Sequence, residues 1–145
     1  MNVGHILEGK GREISGIAPD ATLMDVATEL SRLRIGALVV REGEGGALLG
    51  IVSERDIVRL LARDGGSALD TRVADVMTRD LVTADEDTTV DEALEIMTRG
   101  RFRHLPVRRE GRLVGLVSIG DVVKHRIEAA DRESEDLRTY IHAAG

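Results

Sequence analysis

The 145-residue chain has no cysteine and no tryptophan, one phenylalanine (Phe102), one tyrosine (Tyr140) and two prolines. Without thiols there are no disulfides, no thiolate metal sites and no thiol nucleophile. With so few aromatics, stacking a base on aromatic platforms is excluded, and the core must come from the aliphatic part of the 42% of residues that are hydrophobic. Lysine is scarce too: Lys10 and Lys124 are the only two, and arginine makes up the rest of the basic residues. Genomic base composition produces that bias as readily as a need for bidentate anion recognition does. Against 26 acidic residues the net charge is -6, which argues against a nucleic-acid-binding surface. Apolar runs such as Ala37-Leu38-Val39-Val40 fall far short of the roughly 20 residues of a membrane span. Residues 1–7 show no basic stretch followed by an apolar one, so no leader is expected and the cytoplasm is the expected compartment. Catalytic signatures are missing as well. His5, His104, His125 and His142 never stand at helical ligand spacing, no metal site is expected, and the glycines at 43–46 lack the Gly-Lys-Ser/Thr of a phosphate loop.

What is present is a repeat. Thr22-Leu23-Met24-Asp25-Val26-Ala27 aligns with Thr89-Val90-Asp91-Glu92-Ala93-Leu94 at an offset of 67 residues. Leu30, Arg32, Arg34, Leu38 and Val40 then meet Met97, Arg99, Arg101, Leu105 and Val107 at the same offset. The offset falls to 65 within a turn, so that Gly50-Ile51-Val52-Ser53-Glu54-Arg55-Asp56 lies on Gly115-Leu116-Val117-Ser118-Ile119-Gly120-Asp121. Each copy predicts a short extended piece (14–17, 81–83) and a helix capped by Thr22 or Thr89, with an acid three residues on. A glycine-containing hairpin and a second helix beginning after Ser53 or Ser118 follow. The unit is β-α-β-β-α, about 60 residues long and too small to be secure alone. The expected α/β (α+β) architecture is therefore a pseudo-twofold pair with the sheets packed face to face. The expected boundaries are 1–66 for the first repeat with its lead-in and 67–127 for the second, linked through residues 64–75. Residues 128–145 form a charged helical tail.

The doubled unit, the Gly-aliphatic-Val-Ser-x-x-Asp that closes each copy, Arg103-His104-Leu105-Pro106-Val107 and the lead-in Val73-Ala74-Asp75-Val76-Met77-Thr78 together resemble the cystathionine beta-synthase (CBS) domain pair, or Bateman module, over about residues 3 to 125. The resemblance implies clefts beside the paired sheets that take adenosine-type ligands: AMP foremost, with ADP, ATP, NAD(H) or S-adenosylmethionine as alternatives. It implies a non-enzymatic regulatory module without a catalytic cofactor, acting as a homodimer or on a regulated enzyme or transporter, away from membranes. A ligand-free dimerisation module is the alternative.

On this reading Ser53 and Ser118, where a strand hands over to a helix, offer backbone N–H groups to phosphate. Asp56 and Asp121, three residues on, would take ribose hydroxyls. Arg101, Arg103 and His104 add phosphate contacts in the second copy; Lys10-Gly11 and Thr78-Arg79 are further candidates. Ala37, Leu38, Leu105, Pro106 and Thr83 would line adenine. Two structural readings stand beside these. Ser with an acid three residues later is also a capping box, and Arg101 and Arg103, alternating with Phe102 in an extended segment, could face solvent.

Overall fold

The computed structural model describes residues 1–144; Gly145, the last residue of the expected tail, lies outside them. In chain order the elements are α1 (Val3–Lys10), β1 (Gly16–Ile17), α2 (Leu23–Leu33), β2 (Ala37–Val40), β3 (Gly50–Ser53), α3 (Glu54–Asp64), α4 (Val73–Val76), β4 (Ala84–Asp85), α5 (Val90–Gly100), β5 (His104–Arg109), β6 (Arg112–Ser118) and α6 (Ile119–Ala144), with a 3-10 turn at Gly65–Asp70. The strands make two three-stranded sheets, β1-β2-β3 and β4-β5-β6. In each the first strand runs parallel to the middle one and the third antiparallel to it. The fold is mixed α/β, and the β-α-β-β-α unit occurs twice.

Contacts divide the chain into two units: Glu13–Val82, and residues 1–12 with those from Thr83 onward. In the first, Thr22 and Asp25 close the expected capping box at the start of α2: Thr22 N donates to Asp25 Oδ2 at 2.9 Å and Asp25 N to Thr22 Oγ1 at 3.2 Å. In the second, Thr89 Oγ1 accepts from Glu92 N at 3.0 Å, which caps one of the orphan donors of α5, but Glu92 does not return a bond to Thr89 N, so the expected capping box is only half formed there. Leu23, Val26 and Leu30 of α2, and Val90, Ala93 and Met97 of α5, are the buried faces that the helical spacing predicts. Against them lie Leu38, Val40 and Val52 in one core and Leu105, Val107 and Val117 in the other. Each fully buried Val or Leu contributes about 1.5–3 kcal/mol relative to exposure.

Three expectations change. Chain continuity puts residues 1–10 with the first repeat, but α1 packs into the second, with Val3, Ile6 and Leu7 in the core of Leu105 and Val117. Its backbone is tied there by Val3 N to Thr88 O at 2.8 Å and Gly4 N to Glu86 O at 2.9 Å. Arg12 pairs with Glu86. Residues 64–75 are likewise more than a linker: Ala68, Val73 and Met77 are buried in the first repeat's core, with Val73 N on Ala21 O at 2.8 Å and Ala74 N on Pro19 O at 2.9 Å. So each lead-in completes the unit of the repeat that it does not precede. Third, the tail from residue 128 is no separate helix but the continuation of α6.

Glycine is needed where these lead-ins dock. A Cβ on Gly50 would stand 2.8 Å from Met77 Sδ and 2.7 Å from Thr78 O. On Gly115 it would stand 2.5 Å from Leu7 Cδ2. The glycine that opens each Gly-aliphatic-Val-Ser motif thus leaves room for one buried side chain of a lead-in.

Candidate functional site

Each hairpin ends in a serine that starts a helix, and the junction is built the same way twice. Ala37 of β2 is in register with Ser53, and Glu54 N donates to Gly36 O at 3.0 Å. His104 of β5 is in register with Ser118, and Ile119 N donates to Arg103 O at 2.8 Å. The structure therefore brings Arg103, His104, Ser118 and Asp121 to one strand-to-helix turn.

Both acids engage that turn. Asp56 Oδ2 accepts from Ser53 N at 2.9 Å and from Ser53 Oγ at 3.2 Å. Asp121 Oδ2 accepts from Ser118 N at 2.8 Å, while Asp121 N donates to Ser118 Oγ at 3.1 Å. The capping role read from the spacing is thus present; it uses one carboxylate oxygen in each repeat, and it takes up the Ser53 and Ser118 N–H groups that were expected to face phosphate. The other oxygen differs between the copies. Asp56 Oδ1 accepts from Arg59 at 3.2 Å, whereas Asp121 Oδ1 has no hydrogen-bond partner among the described residues. A carboxylate oxygen has two lone pairs to give, so Asp121 retains acceptor capacity for hydroxyl groups.

Lys10, at the end of α1, completes the second junction. Its Nζ lies 2.6 Å from Asp121 Oδ2 and 2.9 Å from Leu116 O. Burial pushes the Asp121 carboxyl up, but the Lys10 ammonium and the Ser118 backbone N–H outweigh it and hold the group below its ordinary value. Arg79, the corresponding candidate before the second repeat, instead donates to Ala74 O at 2.7 Å.

Arg101 is not in an extended segment. It ends α5 in the left-handed region (φ 56°), as Arg34 ends α2 (φ 55°), because the closing bonds Phe102 N to Met97 O and Ile35 N to Leu30 O require that turn. Arg101 and Arg103 are both exposed. Leu38 and Leu105 are 0% exposed with their side chains in the two cores, so a ligand contact at either position comes from the backbone. Ala37 and Pro106 are also buried, and Thr83 is half-buried immediately before β4, whose Ala84 is in register with Val107. At the position equivalent to Pro106, Val39 N donates to Ser15 O at 3.1 Å; proline has no N–H, and the second repeat lacks this bond.

Arg59 and the docking of Lys10 escaped the sequence reading. Arg59 stands three residues after Asp56 on one helix, a spacing that pairs opposite charges. For Lys10 the available signal was the likeness of Val3-Gly4-His5-Ile6-Leu7 to Val73-Ala74-Asp75-Val76-Met77, which marks residues 3–7 as a second lead-in. Among the described residues no cluster of His, Asp and Glu could hold a metal ion, and no helix is long and apolar enough to cross a membrane.

Comparison with known proteins bears on the doubled junction directly. The CBS domain family matches twice, at residues 12–63 and 73–128. The chain belongs to the CBS-domain family. It is 36% identical over 146 residues to the mitochondrial CBS domain-containing protein CBSX3 of Arabidopsis thaliana, covering 96% of this chain and 71% of that protein. Across other curated relatives the matched share of their length ranges from 21% to 80%. The crystal structure of the CBS-domain containing protein ATU1752 from Agrobacterium tumefaciens superimposes with a TM-score of 0.83 at 43% identity, over 86% of this chain and 92% of that one. The CBS domain pair of protein MJ0100, solved with 5'-methylthioadenosine and S-adenosyl-L-methionine, gives 0.70 at 27% identity, over 86% and 98%.

Proposed function

We propose that this CBS pair is a non-catalytic regulatory module that binds an adenine nucleotide, AMP foremost, and passes its bound state to a partner or through a homodimer. The observation that carries the reading is the repeated strand-to-helix turn, where a serine N–H and an acid three residues on stand together in both copies. Helix starts favour anions through their dipole, although the Ser53 and Ser118 N–H groups are already given to Asp56 and Asp121, and the Asp121 oxygen that the cap leaves suits a ribose hydroxyl. In the second copy Arg103 and His104 frame the same turn, which favours a phosphorylated ligand over a bare nucleoside. Ser53 and Asp56 form the first site, and Ser118, Asp121, Arg101, Arg103 and His104 the second. To adenine we assign Thr83, Ala37, Pro106 and the backbone of Leu38 and Leu105.

The ligands of MJ0100 support the wider class and favour one further reading, a sensor of S-adenosylmethionine or its thioether product. The two differ in charge at the 5' position, so AMP and S-adenosylmethionine side by side decide between them. Self-association belongs to the same proposal. Met24, Ile35, Val58 and Leu61 of the first unit are apolar and exposed, and Ile35 and Val58 line a shallow groove with Ala27 and Ile57 on α2 and α3, a surface suited to a second copy. Thermal unfolding with and without nucleotide tests the binding claim, since a ligand specific for the native state stabilises by RT ln(1 + [L]/Kd). A melting temperature that AMP raises supports it; one indifferent to AMP, ATP, NAD and S-adenosylmethionine favours the ligand-free interaction module.

A further inference from the structure

The two junctions share their serine, their acid and their backbone pairing, yet among the described residues only the second receives a cation from another part of its unit. Lys10 reaches Asp121 from α1, 111 residues away in sequence. The first junction has Arg59 from its own helix, 75% exposed and on the opposite carboxylate oxygen. An ammonium group has three donors. Two of Lys10's are spent on Asp121 Oδ2 and Leu116 O, and one N–H remains.

We propose that Lys10 sets the charge preference of the second-repeat site, tuning it toward nucleotides that carry a phosphate and against neutral or cationic nucleosides with the same base. The inference rests on the reading above that Asp121 faces the ribose. A ribose held on Asp121 brings its 5' substituent close to the carboxylate. An uncompensated carboxylate repels a phosphate and attracts a sulfonium, because like charges in a partly desolvated site are poorly screened. Lys10 cancels that charge without occupying Oδ1, and its third N–H remains for a phosphate or hydroxyl oxygen. The acid then keeps its hydroxyl-binding role and loses its bias against anions. Lys10 is held in place for this by the docking of α1, whose Leu7 is buried against Gly115 on the strand that leads to Ser118.

The experiment titrates AMP, adenosine and S-adenosylmethionine into the full chain by NMR, reading the amides of Ser118 and Ile119 so that the second site is followed separately from the first. Lys10→Met should weaken AMP roughly tenfold, the scale of one charge-assisted hydrogen bond. Adenosine should shift by less than about twofold, with S-adenosylmethionine unchanged or tighter. Lys10→Arg should restore the preference for AMP. Should Lys10→Met melt too low for the titration, Lys10→Gln, which keeps a donor toward Leu116 O, makes the same comparison. Equal loss of AMP and adenosine, or no change in either, overturns the role of Lys10 while leaving the nucleotide site intact. Failure of the wild-type protein to bind any of the three overturns both.

Discussion

Leu7 occupies the space that a side chain on Gly115 would fill, with its Cδ2 2.5 Å from the position of the missing Cβ. Leu7 is 1% exposed and cannot swing aside. Gly115→Ala should destabilise the protein by about 1–3 kcal/mol, the cost of overpacking. Leu7→Ala alone should cost about 2–5 kcal/mol as a cavity. The double variant should be more stable than the two losses added, because the new methyl group sits in the cavity. Denaturant unfolding of the four proteins measures the coupling, and strict additivity would mean that α1 does not dock as described.

The Lys10–Asp121 pair predicts a pH dependence with a definite sign. The carboxyl is held below its ordinary value in the folded protein, so the pair's contribution is present above the unfolded value of about 3.9 and is lost as pH falls through the lower folded value. Both side chains are partly exposed, at 40% and 26%, which keeps the contribution to about 0.5–1 kcal/mol. Near neutral pH Lys10→Met should be less stable than wild type by that amount, and the gap should close in strong acid. A gap that persists there would show that Lys10 acts through its alkyl chain alone.

Arg103 is exposed but stands where β5 begins, its carbonyl accepting the first N–H of α6. Arg103→Ala leaves that backbone bond in place and should weaken AMP by about 1 kcal/mol, an exposed charge-assisted contact, with adenosine unaffected. Calorimetry with both ligands checks the difference. Equal affinity of wild type and variant for AMP would remove Arg103 from the phosphate contacts.

Val58 is 67% exposed in the middle of α3, beside the groove shared with Ile35. Light scattering at tens of micromolar should give twice the chain mass, and Val58→Glu should move dissociation to higher concentration by placing a charge in the shared apolar surface. A monomer mass for the wild-type protein, with and without AMP, would contradict self-association through this face.

Much of the fold was legible because local signals agreed with one another. Thr22 with Asp25, the helical spacing of Leu23, Val26 and Leu30, and Glu110-Gly111 between two apolar runs each specify one local structure. The turn at Glu110 and Gly111 takes positive φ at both residues (50° and 77°), as a two-residue hairpin requires. What the sequence hid was long-range. Nothing local tells residues 3–10 to complete the repeat 80 residues later rather than the one beside them, and the steric complementarity of Leu7 with Gly115 appears only when both are placed. The left-handed arginines had the same cause: Arg34 and Arg101 carry no turn signal, and the 6→1 closing bonds of α2 and α5 impose the conformation. At the site, the spacing of Ser118 and Asp121 indicated both a cap and a ligand group, and only the hydrogen bonds show that the cap leaves one oxygen unused.

The most direct measurement is a calorimetric titration of AMP into wild-type protein freed of nucleotide, beside the Asp121→Asn variant. Saturable binding by the wild type is expected, with a loss of about 1.5–3 kcal/mol in the variant, the range for a hydrogen bond to a charged group, and a melting temperature lower only by the few degrees that loss of the Lys10 pair costs. Equal affinity for AMP in the two proteins would contradict it.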